Sequence, residues 1–337
     1  MQKKVTLDDI AARAGVSKNT VSVVLRGKSG VSETMRRKIL DIAADMNYTR
    51  GTAGRCRYVM ALLSDSITNH IAAGVSGLIP RIYFALQSAC QKNDCIMIPY
   101  SLTSDMVKND VLPPMLQEVE FLGIVTIGHM EPDYVRLLKA SGQHVVMAHE
   151  YIDSMKVDAV ISDDCYAGYF MTRYLIELGH RDIAYFGEKY YMAKYMDRWQ
   201  GYCRAMAEFN LPITLNSYSE RITDRQINED ELNYLNKAFD EMERLPTAIV
   251  CGEDYTATRV RSVLEKRGIR FPEDMSLVGF DDVYYQESDL KITTYRVDHE
   301  NLVNNIMNLL MNPFDEPRRI TVFGSPVYRE SAIKMKA

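Results

Sequence analysis

Long apolar runs are missing from this sequence, and none approaches the roughly 20 residues that a membrane-spanning helix requires. The N-terminus, MQKKVTLDDIAARAG, has no apolar core of the kind found in a secretory signal. The six cysteines are scattered, without a C-x-x-C pair or a neighbouring histidine cluster. We therefore expect a cytoplasmic protein with no membrane partner, no metal site and mostly packed, reduced thiols.

Catalytic signatures are also absent. The sequence has no G-x-S-x-G, no H-E-x-x-H, no Walker phosphate loop and no G-x-G-x-x-G. Two pairs of adjacent carboxylates occur, Asp163-Asp164 and Asp281-Asp282. Neighbouring residues of a strand point to opposite faces, so neither pair makes a ready acid–base couple. We predict that the chain is not an enzyme, that it has no catalytic residues and that it needs no cofactor.

Charge is distributed unevenly along the 337 residues. Residues 1–57 hold twelve Lys/Arg and five Asp/Glu, a net charge of +7, whereas the remainder holds 28 and 40, a net charge of −12. A basic head on an acidic body is typical of a protein that grips nucleic acid with the head alone. Charge by itself does not separate this interpretation from a merely solvated basic surface.

The head has the pattern of three short helices. Thr6 can cap a first helix that carries apolar residues at 7, 10, 11 and 14, the spacing of one helical face. Gly15 suits the turn that follows, because glycine readily takes positive φ. Ser17 can cap a second helix that ends near Arg26, and Ser32 a third. The expected inner faces of these two helices are Val21, Val24, Leu25, Met35, Ile39, Ile42, Ala43 and Met46.

The body, from residue 58 onward, alternates short apolar runs with amphipathic stretches. Strands of this length between helices are typical of βαβ units and parallel sheets. We predict an α/β body of two doubly wound halves behind an all-α helix-turn-helix head. The main expected strands are residues 58–63, 95–100, 123–128, 144–149, 159–162, 183–187, 247–252 and 276–282.

Several motifs closely resemble those of the LacI/GalR (lactose-repressor) family. Residues 5–31 contain T-L-D-D-I-A, A-G-V-S-K-x-T-V-S and the start of V-S-E-T-M-R. Further matches are L-G-H-x-x-I at 178–183, D-R-x-x-G-Y at 197–202, P-T-A-I at 246–249 and F-P-E-D-M-S-L-V-G-F-D-D at 271–282. The resemblance implies a transcriptional regulator, expected to be a repressor, that binds double-stranded operator DNA at the nucleoid.

The resemblance also implies how the chain is organised. The family's body is similar to periplasmic sugar-binding proteins, with two lobes joined by three crossings. A homodimer is expected because dimers read paired half-sites, and the short segment after residue 331 favours a dimer over a tetramer. The implied division is a head at 1–48, a hinge at 49–57, one lobe at 58–160 with 292–321, and the other at 161–291 with 322–337.

The DNA-binding residues follow from the helix-turn-helix arrangement, in which the second helix enters the major groove with its N-terminal residues against base edges. The residues expected to face bases are Lys18, Asn19, Ser22 and Val23. The hydroxyls of Ser17 and Thr20 are placed to reach phosphates, which fix register without reading sequence. The remaining predicted DNA contacts are Thr6, Arg26, Arg50 and Arg55.

Three departures from the family bear on mechanism. Val23 stands where the family usually has Arg, which pairs with guanine, so a different base is expected there. The hinge, residues 49–57, lacks the family's Pro, Asn and wedge Leu and contains two glycines, so a folded hinge helix is doubtful. It either holds phosphates through its arginines or is a flexible tether. Glu253 replaces the usual Asn and alters the ligand pocket.

The expected effector site lies beyond the carboxyl ends of the strands, where open α/β sheets bind ligands. Arg198 is the leading residue because a guanidinium can donate two hydrogen bonds to vicinal hydroxyls or a carboxylate. A salt bridge is the competing interpretation for Arg198, and a structural role is the competing one for His149. The full predicted set is Asp65, Ser66, Asn69, His149, Arg198, Glu253 and Asp281.

The effector is expected to be a sugar or a sugar derivative. A nucleoside or purine effector on the same fold is the first alternative. A cytoplasmic sugar-binding protein without regulation is the second, and the DNA-reading head argues against it.

Overall fold

The computed structural model describes residues 5–25, 30–46, 57–74, 77–188, 192–218, 229–283 and 291–335. The chain divides into two compact units, Met1–Cys56 and Arg57–Ala337. Most of the predicted hinge and its arginines Arg50 and Arg55, together with Arg26, lie outside the described residues.

The first unit contains three helices, α1 (Leu7–Ala14), α2 (Lys18–Leu25) and α3 (Glu33–Asp45). Thr6 and Asp9 form a capping box at the start of α1, and Gly15 ends it with a φ of 72°. The hydroxyl of Ser17 accepts a backbone hydrogen bond in the first turn of α2, and that of Ser32 does so in α3. The predicted caps and turn are confirmed.

The core of this unit is formed by the predicted inner faces. The remaining predicted residues, including Leu7 of α1, are partly buried and pack around it. Local apolar spacing was therefore sufficient to identify the core of the head. Its buried members are Ile10, Ala11, Ala14, Val21, Val24, Ile39 and Ala43.

The second unit contains two six-stranded sheets. The first has the order β11-β5-β4-β3-β1-β2, and all of its pairings are parallel. Its strands are β1 (Arg57–Ser64), β2 (Cys95–Leu102), β3 (Phe121–Ile127), β4 (Val145–Ala148), β5 (Asp158–Ser162) and β11 (Arg319–Val322). The associated helices are α4 (Asp65–Ala72), α5 (Leu78–Lys92), α6 (Ser104–Lys108), α7 (Pro132–Ala140) and α12 (His299–Met311).

The second sheet has the order β12-β10-β9-β8-β6-β7, with only β12 antiparallel to its neighbour among the pairings described. Its strands are β6 (Ile183–Glu188), β7 (Thr214–Tyr218), β8 (Ala248–Cys251), β9 (Ser276–Phe280), β10 (Thr293–Arg296) and β12 (Ser325–Val327). The associated helices are α8 (Asp164–Glu177), α9 (Ala193–Glu208), α10 (Glu229–Asp240) and α11 (Asp254–Glu265).

Each sheet is covered on both faces, which explains why the strands read as continuous apolar runs. β4, β5, β8 and β9 are buried along their whole length. One apolar cluster fills each side of each sheet. The prediction of two doubly wound parallel sheets is confirmed. Among the described helices, none is both long and apolar enough to cross a bilayer.

The chain crosses between the two sheets three times, and one crossing differs from the expected lobe boundary. We expected the first lobe to resume at residue 292, but Thr293 pairs with Val278 in the second sheet. The chain returns to the first sheet only after Arg296, through α12, which begins at His299. A strand of four residues is too short for its apolar pattern to reveal which sheet it joins, because that choice depends on distant partners.

Candidate functional site

The predicted DNA-reading residues lie on the side of α2 that faces away from the head's core. Val21 and Val24 point into that core, whereas Lys18 and Asn19 are exposed. Thr20, Ser22 and Val23 are half-buried, and Ser17 and Thr6 are exposed. The head thus presents the N-terminal turn of α2 to solvent, as a groove-reading helix must.

Lys18 already has an ionic partner within the head. Its ammonium donates to a carboxylate oxygen of Asp8 at 2.8 Å, and both side chains are largely exposed. The hydrogen bond and charge of Asp8 raise the pKa of Lys18. An exposed pair of this kind contributes little to stability, so Lys18 can exchange Asp8 for a phosphate or a base at low cost.

Arg198 is the centre of a buried polar cluster in the body. Its Nε donates to Asp164 at 2.6 Å and its Nη2 to Asp281 at 2.7 Å. Its Nη1 donates to the backbone carbonyl of Gly252 at 2.7 Å. These partners follow β5, β9 and β8, so the cluster lies at the carboxyl ends of the second sheet and of one strand of the first. This is the edge at which such sheets bind ligands.

Burial strengthens the electrostatic coupling within this cluster. The Arg198 side chain is 0% exposed and that of Asp281 is 6% exposed. Burial alone would lower the pKa of Arg198, but the charges of Asp164 and Asp281 raise it well above its usual value. Burial would likewise raise the pKa of Asp281, but Arg198 and Lys194 lower it below its ordinary range. Both groups therefore stay charged near neutral pH.

Two glycines let α8 and α9 approach closely enough to form this cluster. A Cβ atom at Gly168 would lie 2.2 Å from the backbone oxygen of Arg198. A Cβ atom at Gly201 would lie 2.1 Å from the backbone oxygen of Cys165. Both distances are far inside van der Waals contact, so any side chain would push the helices apart. The G of the D-R-x-x-G-Y motif is thus explained by packing.

His149 reaches the same cluster from the first sheet. It follows β4 with a φ of 57°, and 1% of it is exposed. Its Nδ1 lies 3.3 Å from the hydroxyl of Ser162, which donates to Asp164 at 2.5 Å. Burial lowers the pKa of His149 to about 4, and the charge of Lys194 adds to this, so the ring is neutral at pH 7. A hydrogen-bonded chain therefore connects His149 to Arg198.

The other predicted effector residues have different surroundings. Glu253 precedes α11 and accepts a hydrogen bond from the hydroxyl of Tyr195 at 3.1 Å. Asp65 begins α4, is half-buried and accepts from the hydroxyl of Ser101. Ser66 and Asn69 are exposed on the same helix. No hydrogen bond or ion pair among the described residues joins Asp65, Ser66 or Asn69 to the Arg198 cluster.

Sequence reasoning missed several residues of the cleft. Asp164 was noted only as half of an acidic pair, yet it holds Arg198. Glu150, which follows His149 in the chain, is 4% exposed, and Lys194 is 6% exposed and its charge lowers the pKa of His149. Tyr151 donates from the first lobe to Asp197 of the second, at 3.0 and 3.1 Å to its two oxygens. These residues could have been found from the sequence as charged residues at the end of a predicted strand or the start of a predicted helix.

Neither carboxylate pair lies within a strand, so the argument from alternating strand faces does not apply to them. Asp163 caps α8 while Asp164 binds Arg198. Asp281 also binds Arg198, whereas Asp282 accepts from Arg296 at 2.7 Å and from Arg329. Their side chains therefore serve separate ion pairs. In the part of the chain that the structure describes, no group of three or more His, Cys, Asp or Glu side chains is arranged to hold a metal ion.

Comparison with known proteins agrees with both units. Residues 6–51 match the family model of bacterial regulatory proteins of the lacI family, and residues 172–332 match a periplasmic binding protein-like domain. The chain is 24% identical over 336 residues to the ribose operon repressor of Haemophilus influenzae, covering 98% of this chain and 99% of that protein. It is 27% identical over 297 residues to the transcriptional repressor PurR of Vibrio cholerae, covering 84% and 83%.

The fold also has solved neighbours. The lac repressor dimer bound to operator and the anti-inducer ONPF superposes with a TM-score of 0.65 at 18% identity, covering 98% of this chain and 100% of that one. A helix-turn-helix head and a two-lobed binding body define a DNA-binding transcriptional regulator with an effector site. Residues 6–51 form a DNA-binding domain of the lacI family of bacterial regulatory proteins, and the chain is similar along nearly its whole length to a repressor.

Proposed function

We propose that this chain is a repressor that binds operator DNA as a homodimer, with an affinity set by a sugar-like effector in the body's cleft. The observation that carries the proposal is the buried cluster of Arg198, Asp164 and Asp281 at the carboxyl ends of the strands. We expect the protein to act in the cytoplasm, where operator DNA is found, and to perform no catalysis.

Arg198 is proposed to bind the effector with the donors that the protein leaves free. A guanidinium has five N–H groups, and three are used by Asp164, Gly252 and Asp281. Among the described residues the other two have no acceptor, and we propose that they donate to the ligand, their direction being fixed by the three bonds already made. The guanidinium also lies 4.7 Å from the ring centroid of Phe280, which holds its plane in place. Such preorganisation reduces the entropy lost on binding.

The other effector residues are assigned by position. Asp281 and His149 meet at the Arg198 cluster and are proposed to orient the ligand. Glu253 is proposed to line the same space beside Tyr195. Asp65, Ser66 and Asn69 are proposed to contact a ligand from the first lobe when the lobes close on it.

The head is proposed to read operator half-sites through α2. Lys18 and Asn19 are placed for base edges, with Ser22 and Val23 further along the helix. Ser17, Thr20 and Thr6 are placed for phosphates, and the arginines Arg26, Arg50 and Arg55 would add to the positive charge. Two heads in a dimer would read two half-sites. The lac repressor neighbour was solved as a dimer on operator, which supports this arrangement.

The identity of the effector is proposed from two relatives. The ribose operon repressor is named for a sugar, and its similarity covers nearly the whole of both chains. PurR is the second relative, and it supports a purine effector as the alternative. An effector can change operator affinity only through a difference in its own affinity for the two states of the protein.

The proposal is tested by selecting operators from a random duplex pool with the full-length chain. Thermal shift with sugars and purines then identifies effectors, because a ligand of the folded state raises the unfolding midpoint. We expect a two-fold symmetric site, and an effector that changes its affinity. A chain that selects no sequence, or whose operator binding ignores every compound that raises its midpoint, would refute the proposal.

A further inference from the structure

Asp8 places a carboxylate beside the helix that is expected to read DNA. Its Oδ2 accepts a hydrogen bond from the Lys18 ammonium at 2.8 Å, so the contact joins the first turn of α1 to the first residue of α2. The side chains of Asp8 and Lys18 are 65% and 61% exposed. An anion therefore lies on the solvent-facing side of the head, next to the residues that are placed for base edges.

Folding of the head does not explain the position of this carboxylate. The neighbouring Asp9 already caps α1, because its Oδ2 accepts from the backbone amide and the hydroxyl of Thr6 at 2.7 and 2.6 Å. Asp8 instead pairs with Lys18 of the next helix. An exposed ion pair and a second acid in a first turn each contribute little to stability. The contact between Asp8 and Lys18 therefore calls for a role in what the head binds.

A carboxylate on a DNA-binding surface weakens binding to DNA of any sequence. Duplex DNA carries one negative charge per about 1.7 Å of its axis, and non-specific binding comes from protein cations that replace its counterions. The ammonium of Lys18 and the carboxylate of Asp8 have no net charge together, so the pair adds little to this attraction. Breaking the exposed pair costs little by itself, but it would leave the carboxylate close to phosphates, which repel it. Asp8 therefore opposes contact of Lys18 with phosphates.

A base edge places a different demand on Lys18. An ammonium has three N–H donors, and the hydrogen bond to Asp8 uses one of them. Guanine presents two acceptors in the major groove, O6 and N7, without the negative charge of a phosphate. The two remaining donors of Lys18 can therefore bind a guanine while Asp8 keeps its hydrogen bond.

We propose that Asp8 is a positioning residue that determines DNA specificity, because it directs the Lys18 ammonium to a guanine of the operator and away from phosphates. The inference rests on the proposed reading of operator half-sites by α2. Specificity is a difference between two affinities, and a repulsive element that weakens the wrong complex raises it as much as an attractive one. Asp8 supplies this repulsive element from α1, outside the helix that reads the bases.

The test measures binding of the full-length chain to two duplexes of equal length by fluorescence anisotropy at several salt concentrations. One duplex is the operator selected from a random pool, and the other has the same base composition in scrambled order. The variants are Asp8→Asn, Lys18→Met and the double variant. Asp41→Asn, at an exposed position of α3, is the matched control, because it removes the same charge and leaves the Lys18–Asp8 pair intact. Thermal unfolding without DNA monitors folding.

We expect Asp8→Asn to bind the scrambled duplex about 3- to 10-fold more tightly than wild type near physiological salt, with a salt slope steeper by about one, because Lys18 then neutralises one more phosphate. Operator affinity should change less, so the ratio of the two affinities falls. In the Lys18→Met background, Asp8→Asn should have no such effect, and Asp41→Asn should leave the ratio unchanged. The unfolding midpoint of Asp8→Asn should stay close to that of wild type.

The base that Lys18 contacts is found by replacing each guanine of the operator in turn with 7-deazaguanine, which lacks the N7 acceptor. We expect one such replacement to weaken binding of wild type and to leave binding of Lys18→Met unchanged. An operator in which every replacement affects the two chains equally would overturn the inference.

The other outcomes are equally decisive. Unchanged affinity of Asp8→Asn for the scrambled duplex, or an equal gain for both duplexes, overturns the inference. An effect of Asp8→Asn that persists without Lys18 would show that the carboxylate acts on DNA directly, and it also overturns the inference. A wild-type chain that selects no operator would refute the proposed function and the inference with it. A selected operator that wild type and Asp8→Asn prefer equally would refute the role of Asp8 alone.

Discussion

The guanidinium of Arg198 and the carboxylate of Asp281 lie 2.7 Å apart, and neither side chain is more than 6% exposed. This pair, extended by Asp164, joins α9, α8 and the end of β9. Buried charges are tolerated only when they are paired and hydrogen-bonded. The cluster therefore fixes how α8, α9 and the end of β9 are held together.

Removing the charge of Asp281 should lower the free energy of unfolding, because Arg198 is buried and depends on paired carboxylates. Asp281→Asn leaves Arg198 with one buried anion in place of two, and breaking a buried pair typically costs about 3–5 kcal/mol. We expect the free energy of unfolding, measured by urea denaturation at pH 7, to fall by roughly that amount. Glu177→Gln breaks the exposed Arg173–Glu177 pair and should change it by less than about 1 kcal/mol. Equal effects of the two variants would contradict a buried pair.

The pH dependence of stability should carry a signature of His149. Its pKa is lowered to about 4 in the folded chain from an ordinary value of 6.5, because the ring is buried. The folded state therefore binds fewer protons between these values, so stability is full above about pH 6.5 and is lost as the pH falls towards 4. His149→Asn should flatten the curve in this window by about 3 kcal/mol. Parallel curves for wild type and variant would show that the ring is not held neutral.

Asp197 should produce the opposite trend. Burial raises the pKa of its carboxyl to about 6, although the hydroxyl of Tyr151 opposes this. A raised folded pKa contributes stability below the unfolded value and loses it as the pH rises through 6. The unfolding free energy of Asp197→Asn should therefore increase relative to that of wild type as the pH rises from about 4 to about 6. Denaturation curves collected at four or five pH values check this, and a difference that decreases over this range would contradict it.

Helix packing beneath the cluster should tolerate no side chain at Gly201. Its Cβ would lie 2.1 Å from the Cys165 carbonyl, so Gly201→Ala must separate α8 from α9. Overpacking of this kind typically costs about 1–3 kcal/mol or more. Gly77→Ala is the control, because its Cβ would meet only Pro80, at 3.4 Å. Thermal unfolding should show a lower midpoint for Gly201→Ala alone.

The DNA-binding role of α2 is testable through salt dependence. If Lys18 exchanges Asp8 for a phosphate on binding, Lys18→Ala should lower affinity for all duplexes and reduce the salt slope by about one. If it reads a base, affinity should fall mainly for the selected operator. Fluorescence anisotropy at several salt concentrations separates the two. Unchanged affinity for every duplex would remove Lys18 from the interface.

The head was more predictable from the sequence than the cleft was. Caps such as Thr6 and a turn such as Gly15 act within a few residues, so their spacing is visible in the chain. β12 (Ser325–Val327) is short and carries little apolar signal, and its antiparallel pairing with β10 is a distant contact. The sequence could not show which sheet β10 or β12 would join.

The residues of the site also differ in how far the sequence could predict them. Arg198 and Asp281 were found through motifs, because each follows a recognisable pattern. Asp164, Lys194 and Glu150 were missed, because their importance arises only where helix starts and strand ends from two lobes meet. The arginine was weighed as either a ligand contact or a salt bridge. The structure shows that Arg198 forms ion pairs with Asp164 and Asp281. Its contact with a ligand is a proposal.

Reciprocal binding tests the account most directly. Operator affinity of the full-length chain should be measured at one salt concentration with and without the neutral sugar that raises its unfolding midpoint, and sugar affinity with and without operator. We predict that both change by the same factor, about 5- to 150-fold, as linkage requires. A sugar that binds in the cleft while operator affinity stays the same would contradict an effector-controlled regulator.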